Sequence, residues 1–181
     1  RGPFEMMNRV GIQEAHRMAE AYAVLSAQSD EARAWKVPAF FSEQARSNHA
    51  WNFSYVDTSI ENGVATLTIN RPEAMNALNE TVVGQLNLAL DAVNDDDSVH
   101  TIVLDGAGKA FVAGADVKFF VDKIRADSIP EIVTFTADGH TMLNKLESSS
   151  KTTVALTTGL ALGGGLELAL ACDYRIGTRR T

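Results

Sequence analysis

The chain of 181 residues has one cysteine, Cys172, which excludes an intramolecular disulfide and suggests a reducing, cytoplasmic setting. It has no apolar run near the roughly 20 residues that a helix needs to cross a bilayer. The opening residues RGPFEMMNRVG carry no signal-peptide pattern. Basic residues are in deficit, 16 Lys and Arg against 23 Asp and Glu, and the net charge of −7 argues against a nucleic-acid surface. The histidines His16, His49, His100 and His140 lack ligand spacing, so no metal site is expected. A Walker A loop is absent. A dinucleotide fingerprint built on Gly163-x-Gly165 would need a small residue where Leu168 stands. No Met begins the chain and RIGTRRT ends it without a terminal pattern, so a piece of a longer protein is expected. What is present is an ordinary globular composition, 45% apolar and 22% charged.

Two segments differ in character. Residues 1–50 look helical: residues 12–28 are rich in Ala, Met, Glu and Leu, a polar stretch covers 28–33, and a second helical piece follows Pro38. Residues 51–181 alternate strands with helices, which implies an α/β fold with crossover connections. Residues 55–61 and 64–70 read as strands around the turn Asn62-Gly63. Ala65, Leu67 and Ile69 share one strand face. A helix from about Asn79 carries Val82, Leu86, Leu90 and Val93 at helical spacing and ends at Asp95-Asp96-Asp97. Residues 101–105 and 152–157 read as buried strands, and 117–125 and 130–146 as helices. After Gly163-Gly164-Gly165 a helix is expected over 166–171, then a strand over 173–176.

Each candidate for chemistry has a structural reading beside it. Glu167 lies among Leu166, Leu168, Ala169, Leu170 and Ala171, and a helix apolar all round is a buried one. A charged Glu there is costly unless paired or facing a cavity. The other reading is a hydrated carboxylate at a positive helix end. The three glycines make a tight turn, or they expose N–H groups where negative charge develops. In FVAGADVK, residues 111–118, the small Ala113, Gly114 and Ala115 permit close approach of a ligand, while Asp116 could simply cap the next helix. Cys172 reads as a small core residue, and Ser148-Ser149-Ser150 as a connection.

Three strings occur in one order: NRPEAMNALN at 70–79, KAFVAGADVK at 109–118 and GLALGGGLELALACDYRI at 159–176. Together they resemble the crotonase (enoyl-CoA hydratase/isomerase) superfamily. The resemblance covers about residues 53–181 and implies a spiral of ββα units, incomplete at the C-terminus. It also implies an acyl-CoA thioester substrate whose enolate is stabilised by two backbone N–H groups, those of Ala115 and Gly164. Ala113, Ala115, Asp116, Val117, Lys118 and Gly164 would then line the thioester pocket, with Met75 and Ala77 near the adenine end. Glu167 matches the first of two catalytic glutamates of the family's hydratases, and the second would fall about 20 residues further on, beyond Thr181; the resemblance thus implies an enoyl-CoA hydratase, with an isomerase of the same fold or a non-catalytic acyl-CoA-binding module as alternatives. By this expectation residues 1–181 alone are inactive. Lys151 is followed by Thr152 where the family often has Pro, and Thr158 stands where Asn is common. The string GPFEMMNRVGI at 2–12 resembles the end of a 3-hydroxyacyl-CoA dehydrogenase C-terminal domain. That implies a bifunctional parent whose NAD site lies upstream, with no cofactor in this chain. The crotonase resemblance also implies a homo-oligomer, trimer-based, in the intact protein.

Overall fold

The computed structural model describes residues 3–27, 36–51 and 53–179. The chain divides into two compact units, Arg1–Phe53 and Ser54–Thr181.

The described part of the first unit is helical: α1 (Pro3–Val10), α2 (Ile12–Ser26) and α3 (Ala39–Ser47). The polar stretch expected at 28–33 lies outside the described residues. Ile12, Phe41 and Ala45 form its small core, with Met7, Val37 and Trp51 packed against them. The Asn8 side chain donates to Trp51 O at 2.9 Å and accepts from Trp51 N at 2.7 Å, which ties the end of this unit to α1.

The second unit is a mixed α/β fold. It starts with a hairpin of β1 (Val56–Glu61) and β2 (Val64–Ile69). Asn62 and Gly63 both have positive φ, 51° and 79°, as a tight hairpin turn requires. A 3₁₀ turn at Pro72–Ala74 leads to α4 (Glu80–Asn94), whose cap Asn79 accepts from Val82 N. Then come β3 (Thr101–Gly106), β4 (Ala110–Val112), α5 (Val117–Arg125), α6 (Ile129–Glu147), β5 (Thr152–Thr157), β6 (Leu160–Ala161), α7 (Gly164–Leu170) and β7 (Tyr174–Gly177). The main sheet has the order β1-β2-β3-β5-β7, antiparallel only between β1 and β2. A separate parallel pair joins β4 and β6. Among the described residues no helix is long and apolar enough to cross a membrane.

Alternation places one face of the sheet in the core. Ala65, Leu67 and Ile69 of β2 are fully buried with Ile102 and Leu104 of β3 and Ala155 of β5. Val82, Leu86, Leu90 and Val93 of α4 and Met142 and Leu146 of α6 close over them. The strands β3 and β5 read as buried on both faces, but the structure buries only alternate residues fully and leaves Thr101, Val103, Val154 and Leu156 partly covered.

Three local devices join the layers. Buried Asn76 has φ 57°, a left-handed conformation that Asn tolerates better than most residues. Its side chain accepts from Arg71 N at 2.9 Å and donates to Ala107 O at 2.9 Å and Ala110 O at 2.7 Å. A Cβ added to Gly165 would lie inside the Val112 carbonyl, so only glycine lets α7 approach β4 this closely. Asp173 accepts from the N–H of Thr153 at 2.8 Å and from its hydroxyl at 3.0 Å. These bonds hold the Asp173 carboxyl below the usual carboxylate range. The stability they contribute is full above the ordinary Asp value and is lost as pH falls through the depressed one.

Cys172 is buried, and desolvation, helped by the neighbouring Asp173 charge, pushes its thiol up to about 11. Native protein at pH 8 therefore resists iodoacetamide while urea-unfolded protein reacts. Equal labelling rates in the two states would contradict this placement.

Candidate active site

The site begins with a short parallel pairing between two loops. Leu78 N donates to Gly114 O at 2.8 Å, and Asp116 N donates to Leu78 O at 2.7 Å. This makes a parallel bridge between Leu78 and Ala115. In such a bridge the residue between the two bonded positions turns its own N–H and C=O to the opposite side. The Ala115 N–H accordingly has no acceptor among the described residues. Ala113 N donates to Met75 O at 3.1 Å and extends the pairing by one step.

Gly164 arrives from the other direction. Leu162 N donates to Val112 O at 3.1 Å, and Gly163, at φ 48°, turns the chain into α7. Gly165 N and Glu167 N donate back to Leu162 O and Gly163 O. The Gly164 N–H, in the first turn of the helix, has no acceptor among the described residues. A Cβ built on Gly164 would stand 3.9 Å from Ala115 N and 3.9 Å from Glu167 Oε2, so the two backbones and the carboxylate are neighbours.

All three border one cavity of about 190 Å³. Leu78, Val83, Phe120, Phe135, Met142 and Leu143 supply an apolar wall, and Thr136, His140 and Glu167 are its polar side chains. The arrangement offers two unpaired N–H donors, one carboxylate and a greasy wall. It suits a ligand with an oxygen that gains negative charge beside an apolar chain.

The Enoyl-CoA hydratase/isomerase family matches residues 64–181. A crotonyl-CoA hydratase of Syntrophomonas wolfei is 44% identical over 117 residues, which are 64% of this chain and 44% of that protein. A short-chain-enoyl-CoA hydratase of Clostridium acetobutylicum is 38% identical over 117 residues, 64% of this chain and 43% of that one. The crystal structure of an enoyl-CoA hydratase from Bacillus halodurans superposes with a TM-score of 0.67 at 32% identity, over 70% of this chain and 51% of that one. The chain belongs to the enoyl-CoA hydratase/isomerase family. It spans less than half the length of these curated relatives.

The family strings do not contribute equally to the cavity. Ala115, Gly164 and Glu167 border it, whereas Met75, Ala77, Ala113, Asp116, Val117 and Lys118 do not. Met75 and Ala77 lie in the adjoining turn, and their carbonyls are taken by Ala113 N and the Arg71 side chain. Asp116 caps α5 through Lys118 N at 3.1 Å and pairs with Arg71 at 2.8 Å, so its carboxylate is already engaged. Val117 and Lys118 are exposed, and Lys118 pairs with Asp122.

The structure separates the two readings of Glu167. The helix was expected to be buried all round, but Glu167 is exposed. The helix α7 is only seven residues long and packs one side, Gly165, Leu168 and Ala169, while Leu166, Glu167 and Leu170 stay open. Its carboxylate is the rim group of the second reading. The wall from α6 was missed in the sequence. Thr136, Gly139, His140 and Leu143 recur at helical spacing and mark that face. Among the described residues no group of three or more His, Cys, Asp or Glu could hold a metal ion.

The close approach of α7 to β4 sets where Gly164 sits. Gly165→Ala is expected to lower stability by about 1–3 kcal/mol through overpacking, measured by urea unfolding of the full-length protein. Unchanged stability would contradict the contact between Gly165 and Val112.

Proposed function

We propose that this chain supplies the thioester-activating part of an enoyl-CoA hydratase, which adds water to a trans-2-enoyl-CoA. The observation that carries the reading is the pair of free N–H groups, Ala115 and Gly164, beside the Glu167 carboxylate on one cavity. In this reaction the water oxygen bonds to C3, a proton reaches C2, and the thioester oxygen carries enolate charge in between. Two fixed N–H donors stabilise that charge without reorganising, and losing one such donor costs about 10²–10³ in rate. Glu167 takes the proton from water as a general base. A second acid, expected about 20 residues after Glu167 by family resemblance, delivers the proton at C2. Without it, residues 1–181 alone are inactive in this reading. The turn at Met75 and Ala77 lies beside the adenine end of CoA. Lys118, already paired with Asp122, adds little there.

An enoyl-CoA isomerase is the second reading. It is favoured by Glu167 being the only carboxylate bordering the cavity among the described residues, since shifting a double bond needs one principal acid/base. The short likeness at residues 2–12 supports a fusion with a 3-hydroxyacyl-CoA dehydrogenase. A fatty acid oxidation complex subunit alpha of Ectopseudomonas oleovorans matches 65% of this chain over only 16% of its own length, so a segment of this kind also occurs within a much larger protein.

The test is Glu167→Gln in the full-length protein. Its crotonyl-CoA hydration rate is expected to fall about 10²–10⁴-fold, the usual weight of a general acid/base, with thermal unfolding unchanged. A wild-type rate would overturn the assignment of Glu167. Conversion of 3-enoyl-CoA to 2-enoyl-CoA without hydration would establish the isomerase reading instead.

A further inference from the structure

The donor at Ala115 follows Gly114, whose φ is 85°. A glycine adopts both signs of φ, so the peptide between Gly114 and Ala115 is less restricted than one between two residues with side chains. Rotation would exchange the Ala115 N–H for the Gly114 carbonyl and present negative instead of positive charge to the cavity. The bond from Leu78 N to Gly114 O opposes that rotation.

Arg71 reinforces this bond from both sides. Its Nη1 donates to Ala77 O at 3.0 Å, and its Nη2 donates to Asp116 Oδ2 at 2.8 Å. Ala77 immediately precedes Leu78, and Asp116 immediately follows Ala115. One guanidinium therefore cross-links the two paired loops, one residue away from the bridge on each. The pair is largely withdrawn from solvent, with side-chain exposures of 15% for Arg71 and 19% for Asp116. The Arg71 backbone N–H is held by Asn76, and the Tyr55 ring lies 5.8 Å from the guanidinium. A planar fork reaches two acceptors at fixed spacing, which a lysine ammonium on a flexible stem does not reproduce.

We propose that Arg71 is a positioning residue for the reaction: by bridging Ala77 O and the Asp116 carboxylate it fixes the Gly114–Ala115 peptide with its N–H toward the substrate oxygen. The inference rests on the thioester reading of the cavity. Arg71 does not border the cavity, so its removal is expected to act on the transition state more than on binding.

The experiment compares wild type, Arg71→Lys, Arg71→Met and Asp116→Asn as full-length proteins. It measures crotonyl-CoA kinetics and the Raman carbonyl stretch of a bound acyl-CoA thioester. Wild type is expected to shift the carbonyl band to lower frequency. Arg71→Met is expected to lose most of that shift, with kcat down about 10- to 100-fold and KM within about threefold, as a misaligned donor would give. Arg71→Lys, which keeps the charge and protects the fold, is expected to recover part of both signals. Asp116→Asn is expected to fall between wild type and Arg71→Met. If the wild-type band does not shift, the thioester reading itself fails. If it shifts in wild type and equally in Arg71→Lys and Arg71→Met, the positioning role is overturned. A KM rise at constant kcat also overturns it. Should Arg71→Met not fold, a full wild-type shift and kcat in both Arg71→Lys and Asp116→Asn reject the proposal.

Discussion

Two hydrogen bonds, from Leu78 N to Gly114 O and from Asp116 N to Leu78 O, determine what the rest of this molecule can do. They make a loop behave for one residue like a strand, and Ala115 is left facing outward with its N–H unspent. The features around them serve that pairing. The left-handed turn at Met75 and Asn76 brings Leu78 alongside. The Asn76 amide fixes the turn to the carbonyls of Ala107 and Ala110. Asp116 continues from the pairing into the cap of α5, so the helix start and the bridge share one residue.

The second donor depends on packing rather than on hydrogen bonding. The absence of a side chain at Gly165 lets α7 sit against Val112, and this puts Gly164 beside Ala115. Two unrelated constraints, a backbone bridge and a close helix–strand contact, thus converge on one edge of an apolar cavity. Glu167, one turn into the same short helix, follows from the same placement. The positive helix end and the open rim both suit a charged carboxylate, and neither requires it to be buried.

Regular elements were legible where periodicity runs long enough. The helix at 117–125 and the strand at 152–157 stand where the sequence places them. The pair β4 and β6 was not, because three and two residues are too few to show a period, and the pairing of Ala110 with Leu160 is set by the loops. Two of the three family strings hold Ala115, Gly164 and Glu167, which the fold brings to one cavity. The same strings gave no sign that Asp116 is consumed by Arg71, a partner 45 residues away. Nothing in the sequence marks Asn76 as buried, because its partners lie 31 and 34 residues further on. Of the two readings of Glu167 the exposed one holds: apolar neighbours suggested burial, but a two-turn helix covers only one of its sides.

The central claim is that the N–H groups of Ala115 and Gly164 together receive the oxygen of an acyl thioester. The most direct measurement is a crystal structure of the full-length protein with a non-hydratable acyl-CoA bound. The account predicts the thioester oxygen about 2.7–3.1 Å from both nitrogens, within the range of a working oxyanion site, with Glu167 facing the acyl C2–C3 bond. A thioester bound elsewhere, or one whose oxygen meets neither nitrogen, would contradict it.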